Sequence, residues 1–409
     1  MMRDMAEPIY HFAVAHDGGN GYMKDAVNGE RFVIPSVLSR VLPGNEQSKI
    51  ESSKEGLEGV LSTLMNRMDI TTQSNGINMN GRYLVGTGAT IASTAPITFN
   101  VASTEGKSES DVSIISLLGL LTYVALVKHI KSTHQLPNKL DIVVDKMATS
   151  LPIEEMKIKG VGQRFANRFM QHQHVVIVNS FMQPITANIT FKKVDVRPEG
   201  VIGQQGLIGY TNSQKRGYRA DDIFDEFKKE YKLAKFTGKD VMEIGNVLNI
   251  DVGDGTTEFS VLNGAAPVPQ LNSSIFLGTG TVTEAAVEAL HQAYPTIGKV
   301  TRQAFMEIAT RGNDQESKAY RSFLDAQLAL LEQPIEEKVK TIYARLNSQI
   351  NLITISGGGA TTLKQYFAPR LKQVVESLSP FGAAPILWVP EKYTQTLNLD
   401  GLEFRLSYL

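Results

Sequence analysis

Apolar residues along this chain recur in two patterns, one typical of β-strands and one typical of α-helices. Helical spacing predicts helices at 281–294 and 314–349, and another after the glycine turn inside 351–367. Strands and helices that alternate in this way indicate an α/β fold. Short apolar runs predict strands at 9–15, 32–35, 140–144, 174–180 and 185–196. Further strands are predicted at the start of each of the stretches 81–89, 247–255 and 351–367. A last strand, followed by a loop, is predicted in the C-terminal tail.

The most apolar stretch, Ile114 to Val127, reads IISLLGLLTYVALV. It is shorter than the roughly 20 residues that cross a bilayer, and Ser, Gly and Thr interrupt it. We therefore interpret it as a helix buried in a core rather than as a membrane span.

Three local patterns predict where side chains lie rather than which fold forms. Residues 211–240 are densely charged and contain the helical pattern DDIFDEFKKEYKLAK, which predicts a solvated helix in a peripheral insert. The histidines of HQH (172–174) suggest a surface pair at a strand edge, and Trp388 suggests a core or interface aromatic.

Composition narrows the class of protein. The 409 residues carry 41 basic and 42 acidic side chains, so no overall basic field favours direct binding of nucleic acid. The chain has no cysteine, which excludes disulfides and thiolate metal sites and suits a reducing cytoplasm. The N-terminus has no apolar signal-peptide core. We expect a cytoplasmic protein with two cores and no membrane segment.

The stretch HDGGNGYMK, residues 16–24, places three glycines directly after an apolar strand. Glycines permit positive φ and let a ligand approach the backbone, whose successive N–H groups can bind phosphate oxygens. Lys24 can add a positive charge to the same phosphates, and Asp17 can hold Mg²⁺ through water. A plain β-hairpin explains the same residues, since Gly and Asn are ordinary turn residues.

Two later stretches have similar glycine turns. NIDVGDGTTEF (249–259) again ends a strand in Asp-x-Gly-x-Gly, and ISGGGATT (355–362) joins a buried strand to a helix N-terminus, which favours anions. A second hairpin and a tight strand-to-helix connection are the structural alternatives, but two Asp-x-Gly-x-Gly turns after apolar strands are less expected by chance than one. The third stretch matches neither G-x-x-x-x-G-K-[ST] nor G-x-G-x-x-G, which disfavours a P-loop ATPase and a Rossmann dehydrogenase.

Taken in order, DGGNGYMK, DVGDGTT and SGGGAT resemble the two phosphate motifs and the adenosine motif of the actin/Hsp70/sugar-kinase ATPase superfamily. Finer matches are similar to the bacterial plasmid-segregation actins of the ParM type. His16 departs from the apolar residue that is usual before the first motif. The finer matches are ERFVIPS (30–36), YLVGTGA (83–89), RPEGVIGQQG (197–206) and TLNLDGLEF (396–404).

The resemblance implies an actin-like (ribonuclease H-like) ATPase fold, with two duplicated α/β domains around a nucleotide cleft. It implies domain I at 9–205, including a smaller subdomain at about 36–100, and domain II at 246–375. Residues 206–245 would form the charged helical insert, and residues 376–409 would pack back on domain I.

The resemblance also implies roles for individual residues. Glu199 would orient the attacking water or accept its proton, with Asp251 as the second catalytic residue. Asp17 and Asp251 would hold Mg²⁺, mostly through water. The nucleotide would be bound by Asp17, Gly19, Asn20, Gly21, Tyr22 and Lys24, by Gly253, Asp254, Gly255 and Thr256, by Gly280 and Thr281, and by Gly357, Gly358 and Gly359.

The implied function is that of a polymerising ATPase whose dynamic filaments segregate plasmid DNA, with hydrolysis controlling filament stability. The implied ligands are ATP and Mg²⁺, and some relatives accept GTP. The implied partners are further copies of the chain and a DNA-binding adaptor on a centromere-like plasmid site, so the chain itself would not contact DNA.

Three alternatives remain open. A kinase for a small sugar or carboxylate would need an acid or base facing the γ-phosphate, and Glu154 and Glu155 are candidates. An Hsp70-like switch would need a β-rich substrate domain after residue 365, which the pattern does not predict. A structural filament could bind nucleotide with little turnover.

Overall fold

The computed structural model describes residues 8–51, 57, 59–99, 106–212, 215–298, 300–380 and 382–409. The chain divides into two compact units. The first comprises Met1–Pro198 and Leu402–Leu409, and the second comprises Glu199–Gly401. Each unit contains one large sheet flanked by helices, so the α/β prediction is confirmed.

Strands in the described part of the first unit are β1 (Ile9–Gly18), β2 (Tyr22–Val27), β3 (Glu30–Pro35), β4 (Val37–Arg40), β5 (Asp69–Gln73), β6 (Gly81–Val85), β7 (Pro96–Thr98), β8 (Lys139–Leu151), β9 (His174–Val178), β10 (Ile185–Phe191) and β11 (Val194–Pro198). They form one mixed sheet in the order β3-β2-β1-β8-β10-β9-β5-β6-β4-β7, with β11 paired to β8. The β1-β2-β3 segment is an antiparallel meander, and β1 runs parallel to β8.

Helices in the described part of the first unit include α1 (Thr87–Thr90), α2 (Asp111–Thr133), α3 (Ile153–Lys157) and α4 (Val161–Met170), together with a 3₁₀ turn at Leu64–Arg67. The Ser110 side chain caps α2 by accepting from the Val112 amide, and His134 ends the helix in the left-handed conformation. Helix α2 is long and apolar enough to cross a membrane, but 83% of its apolar window is buried inside the protein. It is therefore the central core helix of this unit, as predicted.

Strands of the second unit are β12 (Gly209–Asn212), β13 (Lys215–Tyr218), β14 (Asn246–Val252), β15 (Thr257–Asn263), β16 (Ala266–Pro267), β17 (Ser273–Ile275), β18 (Leu352–Ser356) and β19 (Ile386–Trp388). The larger sheet has the order β16-β15-β14-β18-β19, with β17 paired to β15, and β12 and β13 form a separate hairpin. Trp388 is 8% exposed in the core, which confirms the prediction of a core aromatic.

Helices of the second unit are α5 (Val201–Ile208), α6 (Asp225–Glu230), α7 (Gly238–Glu243), α8 (Thr279–Ala293), α9 (Arg302–Arg311), α10 (Gln315–Arg345), α11 (Ala360–Leu378) and α12 (Glu391–Thr394), with 3₁₀ turns at Asp222–Phe224 and Pro269–Leu271. Helix α13 (Leu397–Leu406) begins in this unit and ends in the first. The C-terminal prediction of a loop after the last strand is wrong, because α12 and α13 follow β19.

The charged segment 211–240 does not form one solvated helix. It contains strand and turn, the short helix α6 and the start of α7, while residues 213 and 214 lie outside the described residues. Four of its apolar side chains, Ile223, Phe224, Phe227 and Phe236, are buried and pack together. Burial of aromatic surface stabilises this segment far more than its exposed charges do.

His174 corrects another prediction, because its side chain is fully buried on β9 rather than at a surface edge. Its Nε2 lies 3.0 Å from the Phe169 carbonyl and donates to it, while its Nδ1 has no partner among the described residues. Burial lowers the pKa of His174 from 6.5 to about 4, since protonation would create a buried N–H without an acceptor.

We expect the free energy of unfolding to fall by roughly 3 kcal/mol as pH drops from about 6.5 to about 4. In that window the unfolded chain binds a proton at His174 that the folded chain excludes, so the stability is fully present above the unfolded pKa. Urea unfolding at several pH values measures the fall. His174→Gln should flatten it, and His172→Gln should not. Parallel curves for wild type and His174→Gln would contradict the assignment.

Candidate functional site

The first glycine turn joins β1 to β2 in a tight hairpin. Asp17 pairs with Lys24 across the two strands, and Lys24 Nζ lies 3.5 Å from Asp17 Oδ2. The Ser36 hydroxyl donates to the Gly19 carbonyl at 2.6 Å, and the Ser36 amide donates to the Gly21 carbonyl at 3.0 Å. Ser36, which follows β3, therefore holds the turn in place. The acidic Asp17 and the basic Lys24 lie next to each other where the two strands end.

The tip of this hairpin consists of Gly19, Asn20 and Gly21, and Tyr22 begins β2. Gly21 is exposed and the Tyr22 side chain is 53% exposed, whereas Asp17 is buried. The sequence prediction missed β2 and ran from the turn directly to 32–35. The structure instead has a turn of three residues between two paired strands. This geometry is that of an ordinary β-hairpin.

A buried chain of polar side chains lies behind the first turn. His16 Nδ1 lies 2.6 Å from Asp25 Oδ1, and His16 Nε2 lies 2.6 Å from Ser113 Oγ at the start of α2. A neutral ring with its proton on Nδ1 donates to the carboxylate and accepts from the hydroxyl. Burial raises the pKa of Asp25, His16 opposes that rise, and Asp17 adds to it.

The second turn joins β14 to β15 and packs against the start of α8. The Thr279 amide donates to the Gly253 carbonyl at 3.0 Å, and the Gly280 amide donates to the Asp254 carbonyl at 2.7 Å. Gly253 itself donates to the Thr256 carbonyl at 2.9 Å, with Gly255 between them. The structure thus brings together the predicted residues 253–256 with Gly280 and Thr281.

The carboxylate of Asp254 has a cationic partner that was not predicted from the sequence. Arg302 Nη1, at the start of α9, lies 3.1 Å from Asp254 Oδ2 and 3.4 Å from Glu284 Oε1. Both Arg302 and Asp254 are about four-tenths exposed, so this pair contributes little to stability. It does place a guanidinium beside the second turn.

The third turn, Gly357 to Gly359, connects β18 to α11 and lies against the end of β14. The Gly359 amide donates to the Val252 carbonyl at 2.9 Å. A Cβ on Gly357 would lie 2.2 Å from Asp251 Oδ1, so only glycine fits beside that carboxylate. Asn398 on α13 donates to Asp251 Oδ2 at 3.2 Å and so helps to orient it.

Glu199 lies half-buried between β11 and α5. The next residue, Gly200, accepts a hydrogen bond at 3.4 Å from Asn249 Nδ2, on β14 two residues before Asp251. Asn249 Oδ1 accepts from Thr354 at 2.8 Å and from Ser356 at 3.2 Å. A buried polar network therefore links the Glu199 loop to the strand that carries Asp251.

A cavity of about 430 Å³ opens beside the third turn. Its walls come from the end of α9, the first turns of α10 and α11, and α12. Gly358 lines it with open space in front of its Cα, and Tyr366 and Arg321 supply a ring and a charge. Its volume lies in the range of small-ligand pockets, and its lining is a mixture of polar and apolar groups.

No group of three or more His, Asp or Glu side chains suited to a metal occurs among the described residues. Asp17 lies in the first unit, and Asp251 lies in the second. A single carboxylate at a glycine turn fits Mg²⁺, which usually keeps several waters and binds through one or two carboxylates and substrate phosphates. The donor set suits a hydrated Mg²⁺ and does not suit a protein-caged metal.

No protein-family model and no curated protein matches this sequence significantly. Solved structures match it over nearly its whole length. The actin-like protein Alp7A has a TM-score of 0.66 at 15% identity, covering 97% of this chain and 96% of that chain. The pCBH ParM non-polymerisable quadruple mutant gives 0.58 at 16% identity, covering 98% and 100%. Bacillus thuringiensis ParM with ATP gives 0.58 at 11% identity, covering 97% and 98%.

This chain has the actin-like fold. The ParM-type resemblance, predicted from the glycine turns together with the finer matches, is thereby confirmed at the level of fold. The actin-like fold does not by itself assign chemistry to residues, because function depends on the site rather than the fold. The roles of Glu199, Asp251 and the turn residues remain predictions.

Several polar residues beside the three turns were not identified from the sequence: Asn249, Arg302, Ser113 and Asn398. Asn398 was inside a quoted motif, TLNLDGLEF, but only its distance to Asp251 shows what it does. Ser113 and Asn249 follow ordinary patterns of a helix start and a buried strand. Their one available signal was a polar residue at a position where the pattern predicts burial.

Proposed function

We propose that this chain is an ATP-dependent actin-like protein that forms dynamic filaments to segregate plasmid DNA, with hydrolysis controlling filament stability. The observation that carries the proposal is the arrangement in the second unit. Hydrogen bonds join the second turn, the third turn, Asp251 and the Glu199 loop. A cavity whose volume is in the range of small-ligand pockets lies next to them. The actin-like fold supports it, since Bacillus thuringiensis ParM has been solved with ATP, AMPPNP and ADP.

In this proposal the cavity beside Gly358 takes the purine base, and the second turn takes the phosphates. The first turn contributes Lys24 and its backbone amides to the same phosphates. Asp17 and Asp251 would hold Mg²⁺ through water, and Mg²⁺ when bound would neutralise charge on the transferring phosphoryl group. Glu199 orients the water or accepts its proton. Copies of this chain would form the filament, and a DNA-binding adaptor would link it to the plasmid.

One observation weighs against the kinase alternative. Both carboxylate oxygens of Glu155 accept backbone amides, from Lys107 at 2.7 Å and from Ser108 at 2.9 Å. Glu154 forms an ion pair with Lys157 at 2.7 Å. The two candidate acids for a small-molecule kinase are thus engaged in holding a loop and a helix turn.

Sedimentation and electron microscopy of the purified chain test the function directly. With Mg-ATP or a non-hydrolysable analogue we expect pelletable filaments, and with ADP we expect fewer. Protein that stays in the supernatant at several concentrations with Mg-ATP would rule out filament formation. Phosphate transfer that depended on an added sugar or carboxylate would favour the kinase instead.

Lys24→Ala should raise the Kd for ATP by about 10- to 100-fold and weaken assembly in parallel, because a charge-assisted contact to phosphate is lost. Isothermal titration measures the first effect, and sedimentation measures the second. Lys192→Ala is the matched control, since Lys192 also pairs with an aspartate of the first unit. An unchanged ATP affinity would make HDGGNGYMK an ordinary hairpin.

A further inference from the structure

The buried group His16, Asp25 and Ser113 has the connectivity of a serine hydrolase triad: hydroxyl to imidazole to carboxylate, with both distances 2.6 Å. Burial excludes that use. The side chains of His16 and Asp25 are fully buried, and Ser113 is 4% exposed, so no substrate reaches the hydroxyl. The three residues therefore act on their surroundings rather than on a bound molecule.

The three residues lie next to the backbone of the first glycine turn, which we propose binds phosphate. His16 and Asp25 are directly paired across β1 and β2, and the next pair towards the turn is Asp17 with Lys24. Successive side chains on a strand point to opposite faces. The Asp17–Lys24 pair therefore lies on one face of the hairpin, and the His16–Asp25 pair lies on the other, facing α2.

The hairpin and α2 touch closely at this point. A Cβ on Gly18 would lie 2.9 Å from Ser113 Oγ and 3.4 Å from His16 Nε2. The backbone of Gly18, the residue after Asp17, thus rests on the Ser113 hydroxyl and the imidazole. Asp25 Oδ2 has no hydrogen-bond partner among the described residues, so His16 is the main compensation for a buried carboxylate.

We propose that His16 and Ser113 are positioning residues that fix the first phosphate turn on the start of α2, and thereby set where Asp17 and Lys24 stand. This inference rests on the proposed function, because it assigns the group a role in nucleotide binding. The hydrogen bond to Ser113 joins the two strand ends to a helix that is buried in the core over most of its length. Without the hydrogen bond between His16 and Ser113, strands β1 and β2 stay paired, but the hairpin is no longer held against α2.

Ser113→Ala is the informative variant, since removing His16 outright would leave the Asp25 carboxylate buried without compensation. Ser116→Ala is the matched control: Ser116 lies in the same helix, is fully buried, and has no hydrogen-bond partner among the described residues. We expect Ser113→Ala to raise the Kd for ATP about tenfold, the effect of one lost buried hydrogen bond. The turnover rate at saturating ATP should change much less, and Ser116→Ala should match wild type.

Hydrogen exchange of a peptide covering residues 17–23 supplies a readout that does not need nucleotide. Exchange should accelerate in Ser113→Ala and stay unchanged in Ser116→Ala. His16→Asn keeps the Nδ1-equivalent donor and loses the contact to Ser113, so it should reproduce Ser113→Ala, and the double variant should add no further loss. Equal exchange in the two serine variants would overturn the inference. If wild type itself failed to bind ATP, the proposed function would fall, and the inferred nucleotide role would fall with it.

Discussion

Replacing Glu199 by glutamine is expected to slow phosphate release from ATP by about 10²- to 10⁴-fold while ATP binding is retained. The substitution keeps the size of the side chain and removes its ability to accept a proton. Asn249 still holds the carbonyl of Gly200, so the loop keeps its shape. Filaments should form with ATP and persist, because the step that destabilises them is blocked.

The measurement is phosphate release at saturating Mg-ATP, with Glu154→Gln as the control. Glu154 is a partly exposed glutamate of the first unit in an ion pair, and its loss should not affect turnover. Equal phosphate release by wild type and Glu199→Gln would contradict the assignment of Glu199 as the catalytic base. Low release by both would favour the structural filament with little turnover.

Strands β14 and β18 of the second unit and the turns that follow them could be predicted because their signals are local. In β14 and β18 a largely apolar run, interrupted by Asn249 and by Thr354, leads to an acid or a serine and then to glycines, and nothing distant is needed to interpret it. The helix at α2 was predictable for the same reason, since its residues are apolar on every side. Such signals locate the turns, but they do not distinguish a hairpin from a phosphate site.

The parts that could not be predicted depend on distant contacts. His16 and Ser113 are 97 positions apart, and neither residue type predicts the other. In the segment 211–240 the charges dominate the composition, while four buried apolar side chains decide its structure. In α13 the Asn, Asp and Gly of NLDG favour a turn, yet buried Leu397, Leu399 and Leu402 hold the helix in place.

The adjacent glycines Gly357 and Gly358 offer the sharpest separation between structural and binding roles. Gly357 has φ of +91°, and a Cβ there would meet Asp251 Oδ1 at 2.2 Å and the Val252 carbonyl at 2.4 Å. A Cβ on Gly358 would meet nothing within 4 Å. The same substitution at these two positions therefore has two different physical consequences.

Gly357→Ala is expected to lower the free energy of unfolding of the second unit by about 3 kcal/mol or more, through backbone strain and the displacement of Asp251. Gly358→Ala should change it by less than about 0.5 kcal/mol. Its methyl group would instead enter the cavity proposed for the purine base, so its Kd for ATP should rise while its unfolding curve stays that of wild type. Urea unfolding and ATP titration of both variants decide the matter. Equal stability of the two would contradict the strained turn, and wild-type affinity in Gly358→Ala would move the base out of this cavity.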